Sequence, residues 1–263
     1  PLFIGIDEEG GDVVRMAEKL TPPPSQKEIG ATGDIEQAKT WAIKTAKSLK
    51  DMGINVNFAP VADVGSNDKR SYSTDTNTVI DFVRAATKGY QQENIIYSLK
   101  HFPGIGKGRV DSHVDSSSID VAKEVLMTED IIPFKTIIDE NDPNDYFILV
   151  SHLKYPALDE EYPASLSSKI MTDLLRNELG YKGIIITDDM EMGAVANHND
   201  FRSIGVKAVK AGADIVLVCH EYEHQQEVYL GLLDAVNSGE ISQERIDESV
   251  KRIIKVKLLH LYQ

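Results

Sequence analysis

A single cysteine, Cys219, is all that 263 residues offer for cross-linking, so no internal disulfide can form and the fold cannot lean on an oxidising compartment for staples. Long apolar runs are missing too. None approaches the ~20 residues a bilayer-spanning helix requires, and uncharged stretches such as residues 184–187 are strand-sized. Basic side chains are scarce: 28 Lys and Arg against 42 Asp and Glu give 28 − 42 = −14 with histidine neutral. A surface this acidic excludes nucleic-acid backbones and anionic membranes as natural partners. No Pro/Gly/Ser-rich linker, charge block or internal repeat divides the chain, so residues 1–263 are expected to form one domain and not a repeat array. What is present, 41% apolar and 27% charged residues, is ordinary globular usage and excludes intrinsic disorder.

Short apolar runs with strand character recur at 2–6, 54–59, 95–99, 146–150, 183–186 and 214–218, with helical patterns between them. Between residues 34 and 52, Ile35, Ala38, Trp41, Ala42, Thr45, Leu49 and Met52 share one helical face, Asp34 with Gln37 resembles a capping box, and Gly53 ends the pattern. Further helices are predicted at 78–92, 129–140, 167–179, 201–211, 222–238 and 242–260, with Gly180, Gly212 and Gly239 as stops.

Apolar strands each followed by a helix are buried on both faces, which predicts an α/β fold with a parallel sheet covered by helices. The predicted strands end in Asp7, Asp63, Lys100 and His101, Ser151 and His152, Thr187 and Asp188, and Cys219 and His220. Chemistry gathered from several strand ends is what the C-terminal face of a (β/α)8 TIM-type barrel supplies. Six strands are visible where a closed barrel needs eight. The expectation is therefore a barrel lacking its first two β/α units, roughly 60 residues, in the sequence as it opens at Pro1.

Residues 100–113 read K-H-F-P-G-I-G-K-G-R-V-D-S-H, a strand end entering a Gly-rich loop. Five other blocks stand out: G-I-D-E-E-G-G at 5–11, N-F-A-P-V-A-D-V at 57–64, S-H-L-K-Y-P-A-L-D at 151–159, P-A-S-L-S at 163–167 and I-T-D-D-M at 186–190, along with R-S-Y at 70–72. In this order they resemble glycoside hydrolase family 3, and the Asp111-Ser112-His113 ending resembles its β-N-acetylglucosaminidase branch. The resemblance runs along nearly the whole chain. It implies a retaining exo-β-N-acetylglucosaminidase, a β-hexosaminidase of bacterial cell-wall or peptidoglycan-recycling type. Its substrates would be terminal N-acetylglucosamine on peptidoglycan-derived or chitin-type glycosides. Related enzymes occur both in the bacterial cytoplasm and as exported proteins.

Retaining hydrolysis needs a carboxylate nucleophile and a proton donor beside the glycosidic oxygen, so that an aspartyl-glycosyl ester forms and is then hydrolysed. Asp188 is the candidate nucleophile, because it follows an apolar strand and matches the first Asp of the family's S/T-D-D pattern. The neighbouring Asp189 is the alternative, although it can instead cap the following turn. His113 is the candidate acid/base, with Asp111 favouring its protonated form; in the resembling branch an Asp-His dyad has this role. Read without the resemblance, the two are an exposed loop histidine and a turn residue. Asp7, Arg70, Lys100 and His101 match positions that hold the N-acetylglucosamine ring, and Arg15 matches an arginine nearby. Lys100 and His101 at a buried strand end are hard to explain as packing, since an unpartnered buried charge is costly, whereas Arg15 and Arg70 also fit ordinary surface arginines. Asp63 and His152 are expected as polar supports beneath the site. The chain departs from the branch at Ile105, where His is common, at Lys107 and Gly108, where Asp-Thr is usual, and at Asp12, where Arg is common. These changes alter the charge beside the loop.

His220-Glu-Tyr-Glu-His224 fits H-E-x-x-H, in which two histidines on one helical face hold zinc. Here the first histidine closes a strand and the second opens a helix, which breaks that geometry. A Schiff-base aldolase using Lys100 and a sugar-binding barrel without activity complete the alternatives. No metal or organic cofactor is expected, a carbohydrate is the expected partner, and the chain is expected to be a monomer.

Overall fold

The computed structural model describes residues 1–65, 69–107 and 118–262. The chain divides into two compact units, one of Pro1–Lys107, Glu124–Leu149 and Val256–Gln263 and the other of Gly108–Lys123 and Val150–Lys255.

In the first unit the order is β1 (Gly5–Ile6), α1 (Gln26–Ala31), α2 (Ile35–Asp51), β2 (Val56–Asn57), α3 (Thr76–Gln92), β3 (Ile96–Phe102), α4 (Lys123–Val125), α5 (Ile132–Glu140) and β4 (Tyr146–Val150), with Lys123 and Val150 themselves counted in the second unit. The strands lie side by side in chain order. Gly5 stands opposite Val56 and Val56 opposite Ile96 in parallel register, as β-helix-β crossovers require. The strand predicted at 146–150 is observed with those bounds and is buried throughout. The one predicted at 2–6 shortens to two residues, for a visible reason. Asn55 occupies the preceding ladder positions with its side chain, accepting from Ile4 N–H at 2.8 Å and donating to Leu2 O at 3.0 Å, and Leu2 is left 74% exposed.

Helix α2 buries Ala38, Ala42, Thr45, Ala46 and Leu49, while Ile35 and Met52, at the ends of the predicted stripe, are exposed. Asp34 is its N-cap and accepts from Glu36 N–H. The expected capping box does not form, because Asp34 N–H donates to Thr32 Oγ1 at 3.1 Å and Gln37 reaches only the Asp34 carboxylate. Helix α3 starts two residues before its predicted position because Asp75 caps it through Thr78 N–H at 2.8 Å. The two helices approach closely at Gly89, where a Cβ would stand 2.6 Å from Lys39 O. Tyr90 of α3, Tyr97 of β3 and Tyr146 of β4 stack in sequence, with centroids 5.9 and 5.2 Å apart.

The second unit contains an antiparallel hairpin of β5 (Lys154–Tyr155) and β6 (Asp159–Pro163), a 3₁₀ turn at Ala164–Leu166 and a π-type helix at Lys169–Glu178. These are followed by β7 (Ile184–Asp189), α6 (Gly193–Ala196), α7 (Phe201–Ala211), β8 (Ile215–Leu217), α8 (Tyr222–Asn237) and α9 (Gln243–His260), whose residues up to Lys255 belong here. β7 and β8 are parallel, with Ile186 opposite Ile215. Gly212, at φ +130°, ends α7 in a conformation that L side chains rarely adopt. The entrance to β8 is fixed by buried Asp214, which accepts from Arg176, Ile185 N–H, Ser249 Oγ and Arg252.

Candidate active site

In the first unit the reactive groups lie where β1 and β3 end. After Ile6 the chain runs through Asp7, Glu8 and Glu9 into the glycine pair. Asn57 of β2 holds this turn by exchanging hydrogen bonds with Glu8, accepting from its N–H and donating to its carbonyl, both at 3.1 Å. The turn itself passes so near residues 23–24 that a Cβ on Gly10 would come within 2.3 Å of Pro24 O. β3 delivers Lys100 and His101, both buried, through a cis peptide.

The lysine is enclosed by carboxylates. Its Nζ lies 2.5 Å from Asp7 Oδ1 and 2.6 Å from Glu9 Oε1. Glu9 also receives Arg70 in a bidentate fork, Nε to Oε2 at 2.9 Å and Nη2 to Oε1 at 2.8 Å, the geometry in which an arginine–carboxylate pair is strongest. Burial alone pushes the Glu9 carboxyl upward, but Lys100 and Arg70 outweigh it and bring it down to about 2. Burial likewise pulls Lys100 down, and Glu9 with Asp7 more than compensates, so the group lies above the ordinary lysine value and is an ammonium at neutral pH.

His101 is locked from both sides. Its Nδ1 meets Asp63 Oδ2 at 2.8 Å, and Arg70 Nη2 lies 3.0 Å from its Nε2. A guanidinium has only donors, so the network assigns the imidazole proton to Nδ1, pointing at Asp63, and leaves Nε2 to accept. Asp63 accepts in addition from His101 N–H at 3.1 Å and Ile105 N–H at 2.9 Å. It thereby fixes both the ring and the loop that follows. Further along, Lys107 Nζ meets Asp130 Oδ2 at 2.6 Å and Glu129 Oε2 at 2.8 Å. Burial pushes Asp130 up to about 6 against the pull of Lys107, and its other oxygen is buried without a partner.

In the second unit β7 ends in Asp188 and Asp189, both half-buried. Asp188 Oδ1 accepts from Asp189 N–H at 2.9 Å. The Asp189 carboxylate is engaged by the backbone N–H groups of Glu191 and Cys219 and by His220 Nε2 at 3.0 Å, so it has the turn-capping position described for it above. His152 bridges Ser165 Oγ and Asp189 O.

Asp7, Arg70 and Lys100 thus lie together around Glu9, and His101 is bonded to Arg70 and to Asp63. Arg15 is exposed, and its backbone N–H donates to Glu8 Oε2 at 2.8 Å. Asp111 and His113 lie outside the described residues. Glu9 was not foreseen, although Lys100 required a buried counter-charge and two acidic residues stood beside Asp7. The H-E-x-x-H pattern is broken as anticipated: Glu221 is the N-cap of α8, His220 precedes the helix, and His224 binds Glu191 at 2.7 Å while stacking on Phe201. Among the described residues no group of three or more His, Cys, Asp or Glu is placed to hold a metal.

This geometry can be set beside known proteins. Residues 1–256 match the family described as Glycosyl hydrolase family 3 N terminal domain. Beta-hexosaminidase A of Pseudoalteromonas piscicida is 35% identical over 98% of this chain, which spans 47% of that protein. Beta-hexosaminidase LpqI of Mycobacterium tuberculosis is 31% identical over 98% of the chain and 68% of its own length. Among solved structures, a glycoside hydrolase family 3 beta-N-acetylglucosaminidase from Paenibacillus sp. str. FPU-7 superposes with a TM-score of 0.94 at 38% identity, covering 98% of this chain and 50% of that one. The chain therefore spans about half the length of some relatives it matches, and its α/β architecture is that of their barrel-type domain. It belongs to the glycosyl hydrolase family 3 N-terminal domain family.

Proposed function

We propose that residues 1–263 act as one catalytic domain of a retaining exo-β-N-acetylglucosaminidase, releasing terminal N-acetylglucosamine from peptidoglycan-derived or chitin-type glycosides. The observation that carries this reading is the network of Asp7, Glu9, Arg70, Lys100 and His101, which sets charged donors and an acceptor carboxylate together at strand ends. A sugar hydroxyl both donates and accepts, so it suits such a mixed set. The same network argues against a Schiff-base aldolase, because Lys100 is held as an ammonium by Glu9 and Asp7 and an ammonium has no lone pair with which to attack a carbonyl. The names of the relatives support the same reading.

In the proposed reaction an oxygen of Asp188 attacks the anomeric carbon while the glycosidic carbon–oxygen bond breaks and His113, aided by Asp111, gives its proton to the departing oxygen. Water then attacks the anomeric carbon of the aspartyl ester while His113 takes its proton, the bond from that carbon to Asp188 breaks, and the sugar leaves with configuration retained after two inversions. Asp7, Arg15, Arg70, Lys100 and His101 are assigned to holding the sugar. The test uses the full chain with nitrophenyl β-N-acetylglucosaminide and the matching glucoside, without added metal. The acetamido sugar should be cleaved far faster, and Asp188→Asn should abolish turnover while the fold survives. Equal rates on the two sugars, or an Asp188→Asn variant retaining more than roughly 5% of the rate, would overturn the reading.

A further inference from the structure

The blocks at 151–159 and 163–167 lie in the second unit, and both contain fully buried polar side chains. His152 is 2% exposed and Ser165 is wholly buried. The turn at Ala164–Leu166 is fastened to residues 151–153 by backbone hydrogen bonds, Ala164 N–H to Leu153 O and Ser165 N–H to Ser151 O. That places Ser165 Oγ 2.7 Å from His152 Nδ1, while the opposite ring nitrogen, Nε2, lies 2.8 Å from the carbonyl oxygen of Asp189. A carbonyl can only accept, so Nε2 carries the proton and donates, and Nδ1 accepts a hydrogen bond from the Ser165 hydroxyl.

Asp189 is consequently held at both ends of its backbone. Its carbonyl is gripped by His152, and its N–H donates to Asp188 Oδ1 at 2.9 Å. Its side chain is tied to the N–H groups of Glu191 and Cys219, so the residue has little freedom to rotate. We infer that His152, oriented by Ser165, is a positioning residue that sets the direction of the Asp188 carboxylate through the backbone of Asp189; this rests on Asp188 being the nucleophile. The physical case is one of pre-organisation. A carboxylate that must approach an anomeric carbon along one line loses rate steeply when its carrier peptide tilts. A buried imidazole bonded to the carbonyl of the next peptide, Asp189–Met190, restricts rotation at Asp189 and with it that tilt, without touching substrate.

The test compares His152→Ala, His152→Gln and Ser165→Ala with the unaltered full chain and with Asp188→Asn. Glutamine is included because its amide can restore a donor toward Asp189 O. The readouts are kcat/KM on dinitrophenyl β-N-acetylglucosaminide, whose leaving group needs little proton transfer, and the inhibition constant of N-acetylglucosamine. His152→Ala should lose roughly ten- to a hundred-fold in kcat/KM, and the inhibition constant should stay within about two-fold. His152→Gln should recover to within about three-fold of the unaltered protein, and Ser165→Ala should fall about three- to ten-fold. An unimpaired His152→Ala overturns the inference, and so does a parallel loss of rate and N-acetylglucosamine binding, which marks a merely structural residue. If the alanine variant does not fold, the other two decide: a Gln variant as slow as expected for alanine, or an unimpaired Ser165→Ala, overturns it. Retained activity in Asp188→Asn would instead sink the nucleophile assignment. An inactive Asp188→Asn beside an unimpaired His152→Ala would sink only the positioning role.

Discussion

Replacing Glu9 by glutamine keeps the shape of the side chain and removes one charge from a place where it has two cationic partners. The Glu9 side chain is 2% exposed, that of Lys100 is 3% exposed, and Arg70 is the second cation bound to Glu9. Glutamine offers one acceptor oxygen where the carboxylate offered two, and its amide hydrogens must face a guanidinium or an ammonium. Breaking one partner out of a buried ion pair typically costs about 3–5 kcal/mol, because the remaining charge is left desolvated. Asp7 continues to hold Lys100, so the lower end, ~3 kcal/mol, is expected here. At about 2–4 °C per kcal/mol for a chain of this size, the melting temperature should fall by roughly 6–12 °C at pH 7. The pH dependence has a definite sign. Glu9 ionises at about 2 in the folded protein and near 4.3 when unfolded, so its stabilisation is present in full above the unfolded value and is lost as pH falls toward 2. Melting curves followed by circular dichroism should thus show a constant gap between the two proteins above pH ~5 that narrows below pH ~4. A gap below ~1 kcal/mol at pH 7, or one that does not narrow in acid, would refute the account of Glu9 as the counter-charge of a buried network.

Asp130 should behave in the opposite sense. Its folded pKa of about 6 lies above the ordinary carboxylate value, so the protein loses stability from this group as pH rises from ~4 to ~6, and melting curves of Asp130→Asn should lack that decline. Asp63→Ala strips His101 N–H, His101 Nδ1–H and Ile105 N–H of their acceptor; steady-state kinetics should show KM for the aryl N-acetylglucosaminide rising more than kcat falls, and an unchanged KM would mean that the ring orientation does not matter. Asp214→Asn uncovers Arg176 and Arg252 and should cost about 3–5 kcal/mol in denaturant unfolding, whereas a loss under ~1 kcal/mol would show that water screens the cluster.

Much of this was legible because single residues dictate local structure. Five consecutive apolar residues at 146–150 leave no alternative to a buried strand, and Gly180, Gly212 and Gly239 stop helices by adopting positive φ. Lys100 and His101 could be read as site residues because burial makes unexplained charge expensive. What escaped depends on partners distant in sequence. The hairpin strand Asp159–Pro163 has no alternating pattern, and three of its five residues are exposed. The first strand shortened because of Asn55, some fifty positions away. Glu9, one of three consecutive acids at 7–9, takes its place in the site only through Lys100 and Arg70, which are distant in sequence.

The central claim is the covalent step at Asp188. A 5-fluoro N-acetylglucosaminyl fluoride, which forms the ester faster than it is hydrolysed, should inactivate the full chain with one sugar attached, and peptide mass spectrometry should place it on the peptide containing Asp188. An adduct on another peptide, or turnover of a competent substrate with no adduct trapped at all, would contradict the account.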